Sequence, residues 1–464
     1  MMGIQIVVLW SDLLIWLLVV AGVGLGALIA QNPPLLSAWR RVGANRVGMA
    51  SATVLLAFIL IGLLDSLHYR AALEGKPGQK VQYAVEVRSA LDALVTPLRT
   101  RNEKTYSEPF ATRLYAKETI DVPGRGSVRE YPRLKHGGAH LGEREGEVAA
   151  DAGFTAFRGA ALAVVGWMAL VGMVGGLVGR QGSGGWQRIW RGDTVFAWDA
   201  VLVTVGLILL VAVPLFWLSG QYHVFGTDKV GQDVLYQVLK SVRTGLIIGL
   251  VTTLVMLPLA VLLGIVAGYF RGWVDDVIQY IYTVLNSIPG VLLIAAAVLM
   301  MQVVIDTHPQ WFSTAAERAD LRLLALCFIL GITSWTGLCR LLRGETLKLR
   351  ELEYIQAAQA FGVSSWRIIV RHILPNLMHI VIIALVMDFS GLVLAEAVLS
   401  YVGIGVDPTM TSFGTMINNA RMELGREPVV WWSLAAAFSA MFVLVLAANL
   451  FADAVRDAFD PRAA

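Results

Sequence analysis

Nine long apolar runs constrain what this chain can fold into more than any other feature of its sequence. A helix needs roughly 20 apolar residues to cross about 30 Å of hydrocarbon, and each run is of that order. Only helices and closed barrels satisfy their backbone in lipid, and the runs lack the alternation of barrel strands. The sequence therefore predicts an all-α integral membrane protein with about nine transmembrane helices. The candidate spans are residues 10–30, 47–65, 155–179, 198–218, 245–268, 278–304, 322–342, 376–399 and 430–451.

Composition and charge agree with a membrane protein. Of 464 residues, 56% are hydrophobic and 15% charged, with a mean hydropathy of +0.65, so a soluble fold would leave apolar surface in water. The net charge of +3 is small and the basic residues are spread among loops, which predicts no nucleic-acid partner. No Lys or Arg precedes the first run, whose first charge is Asp12, so we predict a retained span rather than a signal peptide.

Basic residues predict the orientation of the chain. Short loops rich in Lys and Arg stay cytoplasmic, and such loops follow the first, third and seventh spans. With nine spans these three assignments agree, which predicts an external N-terminus and a cytoplasmic C-terminus. The arginines after the first and third spans are Arg40, Arg41, Arg46, Arg180, Arg188 and Arg191.

The polar stretch 66–153 separates spans 1 and 2 (1–65) from spans 3 and 4 (154–221), and is predicted to be an extracytoplasmic insertion. We expect a helix near 79–98 and irregular chain elsewhere in it. His136 and His140 lie in a Gly-rich loop without further ligands, so we predict no metal site there.

The two cysteines, Cys327 and Cys339, share one apolar run. A helical rise of about 1.5 Å per residue separates their Cα atoms by roughly 18 Å, which excludes a disulfide. We expect both to be buried as small apolar side chains.

The cytoplasmic loop 343–375 is the most informative segment of the C-terminal part, 222–464. It is predicted to form two short helices joined at Gly362. Tyr354, Phe361 and Trp366 offer apolar anchors of the kind enriched at interface centres. From the residues alone, the pair is either a docking element for another protein or a surface connection between two spans.

This loop closely resembles the coupling loop of binding-protein-dependent ABC importer permeases, whose pattern is Glu-Ala-Ala, three residues, Gly, and a later Leu-Pro. Gln356 stands where the family usually has Glu, and its amide can still hydrogen-bond. The resemblance covers about residues 222–462 and is to the dipeptide, oligopeptide and nickel branch. It implies a five-helix permease core preceded by extra N-terminal spans and the insertion. The positions on the pattern are Gln356, Ala357, Ala358, Gly362, Leu374 and Pro375.

A second motif, from Phe225 to Gly249, is similar to one that precedes the first core span in that branch. Its glycines permit turns and its aspartates can cap helices, while the spacing of an EF-hand, needed for a calcium site, is absent. We therefore interpret it as an external turn and cap. The residues concerned are Gly226, Thr227, Asp228, Gly231 and Asp233.

Polar residues inside two candidate spans form a third group. Asn286, Ser287 and Pro289 predict a kink that either lines a pathway or is satisfied by packing. Asp388 and Glu396 lie on roughly one face of a later span. A charge there is costly, so these acids serve either structural hydrogen bonding or a proton relay.

The resemblance implies a permease subunit of an ATP-driven importer in a bacterial inner membrane, moving peptides or a related solute such as a nickel complex. The sequence has no G-x-x-x-x-G-K-[ST] phosphate loop, so ATP and Mg belong to two partner ABC ATPase subunits. A second homologous permease, forming a heterodimer, and an external solute-binding protein complete the implied assembly.

Two rival functions follow from the residues. The first is an ion-coupled secondary transporter that uses Asp388 and Glu396, although no inverted repeat is apparent. The second is a membrane enzyme, for which no set of nucleophile, base and orienting residue is found. No catalytic residue is therefore predicted.

Overall fold

The computed structural model describes residues 4–73, 82–122, 126–142, 144–179, 189–190, 194–312 and 314–459. The arginines used above for the loop after the third span, Arg180, Arg188 and Arg191, lie outside these residues. The chain forms two compact units. The first unit is Met1–Val8, Leu28–Thr244 and Thr411–Phe451, and the second is Leu9–Ala27, Gly245–Met410 and Ala452–Ala464. The domain limits inferred from the sequence stay predictions.

Nine helical stretches among the described residues are long and apolar enough to cross a membrane, which confirms the predicted all-α membrane fold. The helices are α1 Trp10–Gln31, α2 Pro33–Ala44, α3 Arg46–Asp65, α4 Ala90–Leu94, α5 Thr96–Thr100, α6 Val148–Gly179, α7 Trp198–Ser219, α8 Val234–Phe270, α9 Gly272–Ser287, α10 Gly290–Thr307, α11 Ala315–Ser334, α12 Thr336–Arg350, α13 Glu353–Ala360, α14 Ser365–Ile368, α15 Leu374–Val402, α16 Phe413–Glu423 and α17 Trp432–Phe459.

The sixth predicted span, 278–304, is not one helix. Helix α9 ends at Ser287 and α10 begins at Gly290, so the expected kink is a full break. Ile288 is extended, with φ −89° and ψ 131°, because a residue before proline is disfavoured in the helical region. Pro289 also lacks the N–H that would continue the helical ladder.

The insertion has more secondary structure than the sequence predicted. Two short helices, α4 and α5, replace the single helix expected near 79–98, of which residues 79–81 lie outside the described chain. The first begins late because Ser89 and Asp92 form a capping box at its N-terminus. Five short strands are also present in the described residues: β1 Ile4–Val7, β2 His68–Ala71, β3 Arg88–Ser89, β4 Glu118–Val122 and β5 Gly126–Glu130.

The strands form a three-stranded antiparallel sheet, in the order β1-β2-β3, and a hairpin of β4 and β5. The stretch expected to be irregular therefore contains β5. In the first unit, Leu91, Val95 and Leu98 of the insertion pack with Leu235 and Tyr236 at the start of α8. The insertion thus shares an apolar core with the chain that follows it.

In the second unit, the core gathers side chains from α8, α12 and the segment 353–381. The helices approach closely: a Cβ on Gly264 would lie 2.8 Å from the Cys339 carbonyl oxygen, and one on Gly268 2.6 Å from Thr346 Cβ. Cys327 and Cys339 are both free and fully buried, which confirms their predicted role as apolar side chains.

Candidate functional site

The segment 353–373, here called the coupling segment, consists of α13, a turn at Gly362, α14 and one π-helical turn, Ile369–Ile373. Gly362 has φ +75°, a conformation that glycine adopts without the steric penalty of a side chain. The N–H of Gly362 donates to the Gln359 carbonyl at 3.0 Å, and that of Val363 to the Ala358 carbonyl at 3.1 Å. The glycine therefore ends one helix and reverses the chain toward the next.

One face of the coupling segment belongs to the core of the second unit. Ile355, Ile368 and Ile373 are fully buried, and Ala358 and Leu374 pack against the same cluster. Apolar contacts therefore anchor both short helices to the core.

The other face exposes aromatic side chains. Phe361 is 87% exposed and Trp366 66%, and Tyr354 is also open. Gln356, Ala357 and Pro375 lie exposed on the same stretch of chain. Large apolar groups left open beside a packed scaffold are typical of a surface that another protein covers.

The last turns of α8 and α12 lie beside the coupling segment and carry several polar contacts. Arg350 Nη1 donates to the Tyr269 carbonyl at 2.8 Å, and the guanidinium lies 5.8 Å from the centre of the Tyr269 ring. Gln359 Nε2 lies 3.4 Å from the Tyr269 hydroxyl. Nearby, Arg343 holds Asp275 with two hydrogen bonds of 2.5 and 2.7 Å, which links α12 to α9. Gln359 thus links the coupling segment to α8, and the two arginines link α12 to α8 and α9.

Gln356 has a local partner that explains an amide at this position. Its Nε2 lies 3.3 Å from the Glu351 carbonyl oxygen and 3.4 Å from Glu351 Oε2. The Glu351 carboxylate also pairs with Arg271. A glutamate at 356 would add a negative charge beside Glu351, whereas the amide donates to it.

The turn motif at residues 226–233, predicted to be external, packs directly against the insertion in the first unit. Gly226 and Gly231 have φ +68° and +75°. A Cβ on Gly231 would lie 1.9 Å from the Glu103 carbonyl oxygen, and one on Gly226 2.5 Å from that of Ser107. Segment 103–107 therefore approaches so closely that a side chain at either glycine would clash with it.

Hydrogen bonds join the same two segments. Glu103 N–H donates to the Gly231 carbonyl at 2.9 Å, and Ser107 N–H to Thr227 Oγ1 at 2.7 Å. Trp432 Nε1 donates to the Thr227 carbonyl at 3.0 Å. We call segments 103–107 and 223–233 with Trp432 the external layer, after the side of the membrane that the sequence predicts for them.

The two aspartates of the motif accept backbone hydrogen bonds. Asp228 Oδ1 accepts from the N–H groups of Val230 and Gln232, at 2.9 and 2.8 Å. Asp233 Oδ1 accepts from Leu235 N–H at 2.8 Å, at the start of α8. This is the geometry of turns and helix caps.

A buried ionic triad within the external layer was missed by sequence reasoning. His223 Nδ1 lies 2.7 Å from Asp233 Oδ2, and Nε2 lies 3.3 Å from Glu103 Oε1. Glu103 also accepts from the N–H groups of Lys135, His136 and Gly137, at 2.7 to 3.1 Å. A lone histidine beside a turn motif gives no signal of this, because its partner carboxylate is 120 residues away.

Opposed effects set the pKa values of His223 and Glu103. Burial alone would lower the pKa of His223, but its hydrogen bonds to Asp233 and Glu103, and their charges, raise it to about 9. Burial would raise the pKa of Glu103, but hydrogen bonds from His223 and three backbone N–H groups lower it to about 2. His223 and Glu103 are therefore both charged near neutral pH.

The two histidines of the Gly-rich loop, His136 and His140, differ in their surroundings. His140 Nε2 lies 2.8 Å from Asp151 Oδ2, which also accepts from the Tyr222 hydroxyl at 2.7 Å. Burial lowers the pKa of His136. Within the described chain, no cluster of three or more His, Cys, Asp or Glu side chains is placed to hold a metal ion.

The polar residues within the spans fall into two groups. Asn286 Oδ1 accepts from Thr336 Oγ1 at 3.1 Å, Ser287 Oγ donates to the Val284 carbonyl at 2.7 Å, and Pro289 lies in the break before α10. All three are exposed. In α15, Glu396 is buried and accepts from Ser400 Oγ at 2.6 Å, whereas the half-buried Asp388 has no hydrogen-bond or ion-pair partner among the described residues.

Residues 260–464 match the family described as binding-protein-dependent transport system inner membrane component. The chain is 31% identical over 300 residues to the glutathione transport system permease protein of Pectobacterium atrosepticum, covering 60% of this chain and 91% of that one. It is 32% identical over 242 residues to the oligopeptide transport system permease protein of Mycobacterium tuberculosis (strain ATCC 25618 / H37Rv), covering 52% and 77%. It is 28% identical over 297 residues to the probable D,D-dipeptide transport system permease protein of Escherichia coli (strain K12), covering 60% and 92%.

Proposed function

Because the chain belongs to the family of binding-protein-dependent transport system inner membrane components, as its resemblance predicted, we propose that the coupling segment docks a separate ATPase. The chain is a multi-pass inner-membrane permease of an ABC importer. Nothing in its relatives supports the ion-coupled alternative built on Asp388 and Glu396.

The single observation that carries the docking proposal is the exposed aromatic face of the coupling segment. Phe361 and Trp366 stand open on helices whose other face is fully packed. Such anchors gain most of their binding energy when a partner's pocket removes them from water. Of the residues on the coupling pattern, Gln356, Ala357, Gly362 and Pro375 are proposed to lie in this surface, and Ala358 and Leu374 to support it from the packed side.

The mechanism that fits is alternating access driven from this segment. Two partner subunits bind ATP and Mg and hydrolyse ATP, and their closure displaces the coupling segment. Gln359 passes that displacement to Tyr269 of α8, and the Arg350–Tyr269 and Arg343–Asp275 contacts then tilt α8, α9 and α12 together as rigid elements.

The proposed cargo is a peptide. The relatives are named for glutathione, oligopeptides and D,D-dipeptides, which supports short peptides over the alternative of a nickel complex. An external binding protein delivers the solute and a second, homologous permease completes the pore. The proposed orientation has the N-terminus outside and the C-terminus in the cytoplasm.

The broken span marks a candidate stretch of the pathway. Non-helical backbone at membrane depth is tolerated only where protein or a water-filled cavity covers it, and Asn286, Ser287 and Pro289 are exposed in this chain. Asp388, an acid without a partner in the described chain, is the proposed charged group of that pathway. Glu396, bonded to Ser400, is structural.

The insertion is proposed to contact the binding protein or the second permease. Its role as a cover for the turn motif makes deletion a poor test, because deletion would uncover Gly226 and Gly231. Lys117 and Tyr131 are exposed on it, with the ammonium 5.4 Å from the ring centre. Tyr131→Ala should weaken uptake while leaving thermal stability unchanged. Unchanged uptake would remove this proposal.

Docking is tested by coexpressing the chain with its ATPase subunits and purifying it in mild detergent. Phe361→Asp places a charge in the proposed interface and should reduce the co-purified ATPase by about tenfold or more. Lys348→Ala, an exposed change on α12, is the matched control and should retain the ATPase. Equal retention by both variants would exclude docking at Phe361.

A further inference from the structure

An apolar groove lies between three membrane helices of the first unit. It encloses about 430 Å³ and is lined by residues of α3, α7 and α17. Its walls are almost entirely hydrocarbon, apart from one charged side chain at one end. The residues that define this groove are Arg46, Ala50, Val54, Val203, Leu446 and Leu450.

The charged residue at the end of the groove is held in place. Arg46 Nε pairs with Asp199 Oδ2 at 2.8 Å, while the arginine side chain stays 63% exposed. The contact uses Nε only, and among the described residues the guanidinium has no second partner. Its two terminal amino groups therefore remain open toward solvent or a ligand.

The start of α3 is fixed beside the start of α7. Ala197 N–H donates to the Gly43 carbonyl at 2.8 Å, and a Cβ on Gly43 would lie 2.6 Å from Phe196 Cδ1. This close approach brings Arg46 and Asp199 together. The packing of α3 against α7 therefore fixes the position of the Arg46 cation at the end of the groove.

The dimensions of the groove suit one lipid chain. From Arg46 to Val54, eight residues of α3 rise about 12 Å, close to half of the roughly 30 Å hydrocarbon thickness. An acyl chain along the groove would thus place its headgroup at the level of the guanidinium. Two more exposed arginines, Arg40 and Arg41, lie just before it at the end of α2.

We propose that this groove is a binding site for an anionic phospholipid, with the phosphate on Arg46 and one acyl chain against α3, α7 and α17. The planar guanidinium can donate two parallel hydrogen bonds to phosphate oxygens. Three arginines, Arg40, Arg41 and Arg46, lie near one acid, Asp199, so the net positive charge favours a lipid with net negative charge. Basic pockets between membrane helices on the cytoplasmic side bind such headgroups. Placement in the cytoplasmic leaflet rests on the proposed orientation, whereas binding itself does not.

The test uses the full chain with its partner subunits in mild detergent. Native mass spectrometry measures binding of phosphatidylglycerol and of phosphatidylcholine, which differ in net charge. We expect phosphatidylglycerol to bind about tenfold more tightly, and Arg46→Gln to abolish that preference. Arg46→Lys keeps a cation beside Asp199 but loses the paired guanidinium donors. We expect it to prefer phosphatidylglycerol by less than the unsubstituted chain does, which would separate loss of phosphate recognition from misfolding.

Two further variants locate the site. Arg158→Gln removes the same charge from exposed Arg158 of α6 and should leave the preference intact. Val203→Trp fills the groove and should weaken both lipids. Equal binding of the two lipids to the unsubstituted chain, equal losses in Arg46→Gln and Arg158→Gln, or no effect of Val203→Trp would each overturn the proposal.

Discussion

The external layer and the coupling segment each contain a tight turn at a glycine with φ +75°. The glycine is Gly231 in the external layer and Gly362 in the coupling segment. Around Gly231 the polar groups bond to other parts of the same chain: Glu103, His223 and Asp233 are buried, and the histidine bonds both carboxylates. Around Gly362 nothing lies within 4 Å of where a Cβ would stand, and Phe361 is 87% exposed. The same backbone conformation therefore allows close packing within the chain in one region and forms part of an open surface in the other.

The most direct test of this difference is to make the same substitution at both glycines and compare the loss of stability. Asparagine tolerates positive φ better than most residues, so Gly362→Asn should cost within about 1 kcal/mol. Gly231→Asn drives Cβ into the Glu103 carbonyl at 1.9 Å and should cost at least about 3 kcal/mol. Thermal unfolding followed by tryptophan fluorescence measures both. Similar losses would mean that packing does not distinguish the two sites.

A second prediction concerns function at Gly362 alone. Gly362→Val puts a β-branched residue at positive φ and should reorient α14 against α13. Uptake in reconstituted vesicles with the partner subunits should fall about tenfold or more while ATP hydrolysis persists. Gly362→Asn is the control and should keep uptake near the unsubstituted value. If both variants transport equally well, the turn does not transmit the ATPase motion.

The third prediction is a pH profile confined to the external layer. The pKa of His223 is raised from 6.5 to about 9, so its stabilisation is full below pH 6.5 and is lost as pH rises through 9. The pKa of Glu103 is lowered from 4.5 to about 2, so its stabilisation is full above pH 4.5 and is lost as pH falls through 2.

Stability from the triad should therefore be greatest between pH 4.5 and 6.5. It should decline by roughly 3 kcal/mol between pH 6.5 and 9. The melting temperature as a function of pH measures this, and His223→Gln should flatten the alkaline decline. An unchanged decline in that variant would assign the effect to other groups.

The smallest expected effect is at Gln356. Gln356→Glu replaces a donor to Glu351 with a second carboxylate and should cost about 0.5 kcal/mol or less in this exposed setting. Affinity for the ATPase should change by about twofold, as measured by titration of the purified subunits. A gain of more than about tenfold would show that the partner offers a cation that an acid at 356 can use.

Local patterns in the sequence were enough to predict the membrane helices. Apolar length predicts spans because backbone satisfaction in lipid leaves few options, and nine such helices are found in the described chain. The break at Pro289 was visible as a kink only, because proline signals the lost hydrogen bond but not how far the chain departs from the helix.

Contacts distant in sequence were not predictable. Glu103 meets His223 across 120 residues, and Arg343 meets Asp275 across 68, with no motif joining either pair. The hairpin of β4 and β5 was missed because each strand has only five residues, most of them polar or glycine, too few to show a clear apolar alternation. The residues of the coupling segment were identified by resemblance, whereas their division into a packed and an open face needed the fold.

Both cysteines of the chain, Cys327 and Cys339, are fully buried, so its native surface offers thiol reagents no ready target. A single cysteine introduced at exposed position 348 or 129 would then react alone, without the need for a cysteine-free background. Impermeant maleimides applied to intact cells or to inverted vesicles would report the sidedness of each position. Paired spin labels at the same positions would follow their distance through the ATP cycle.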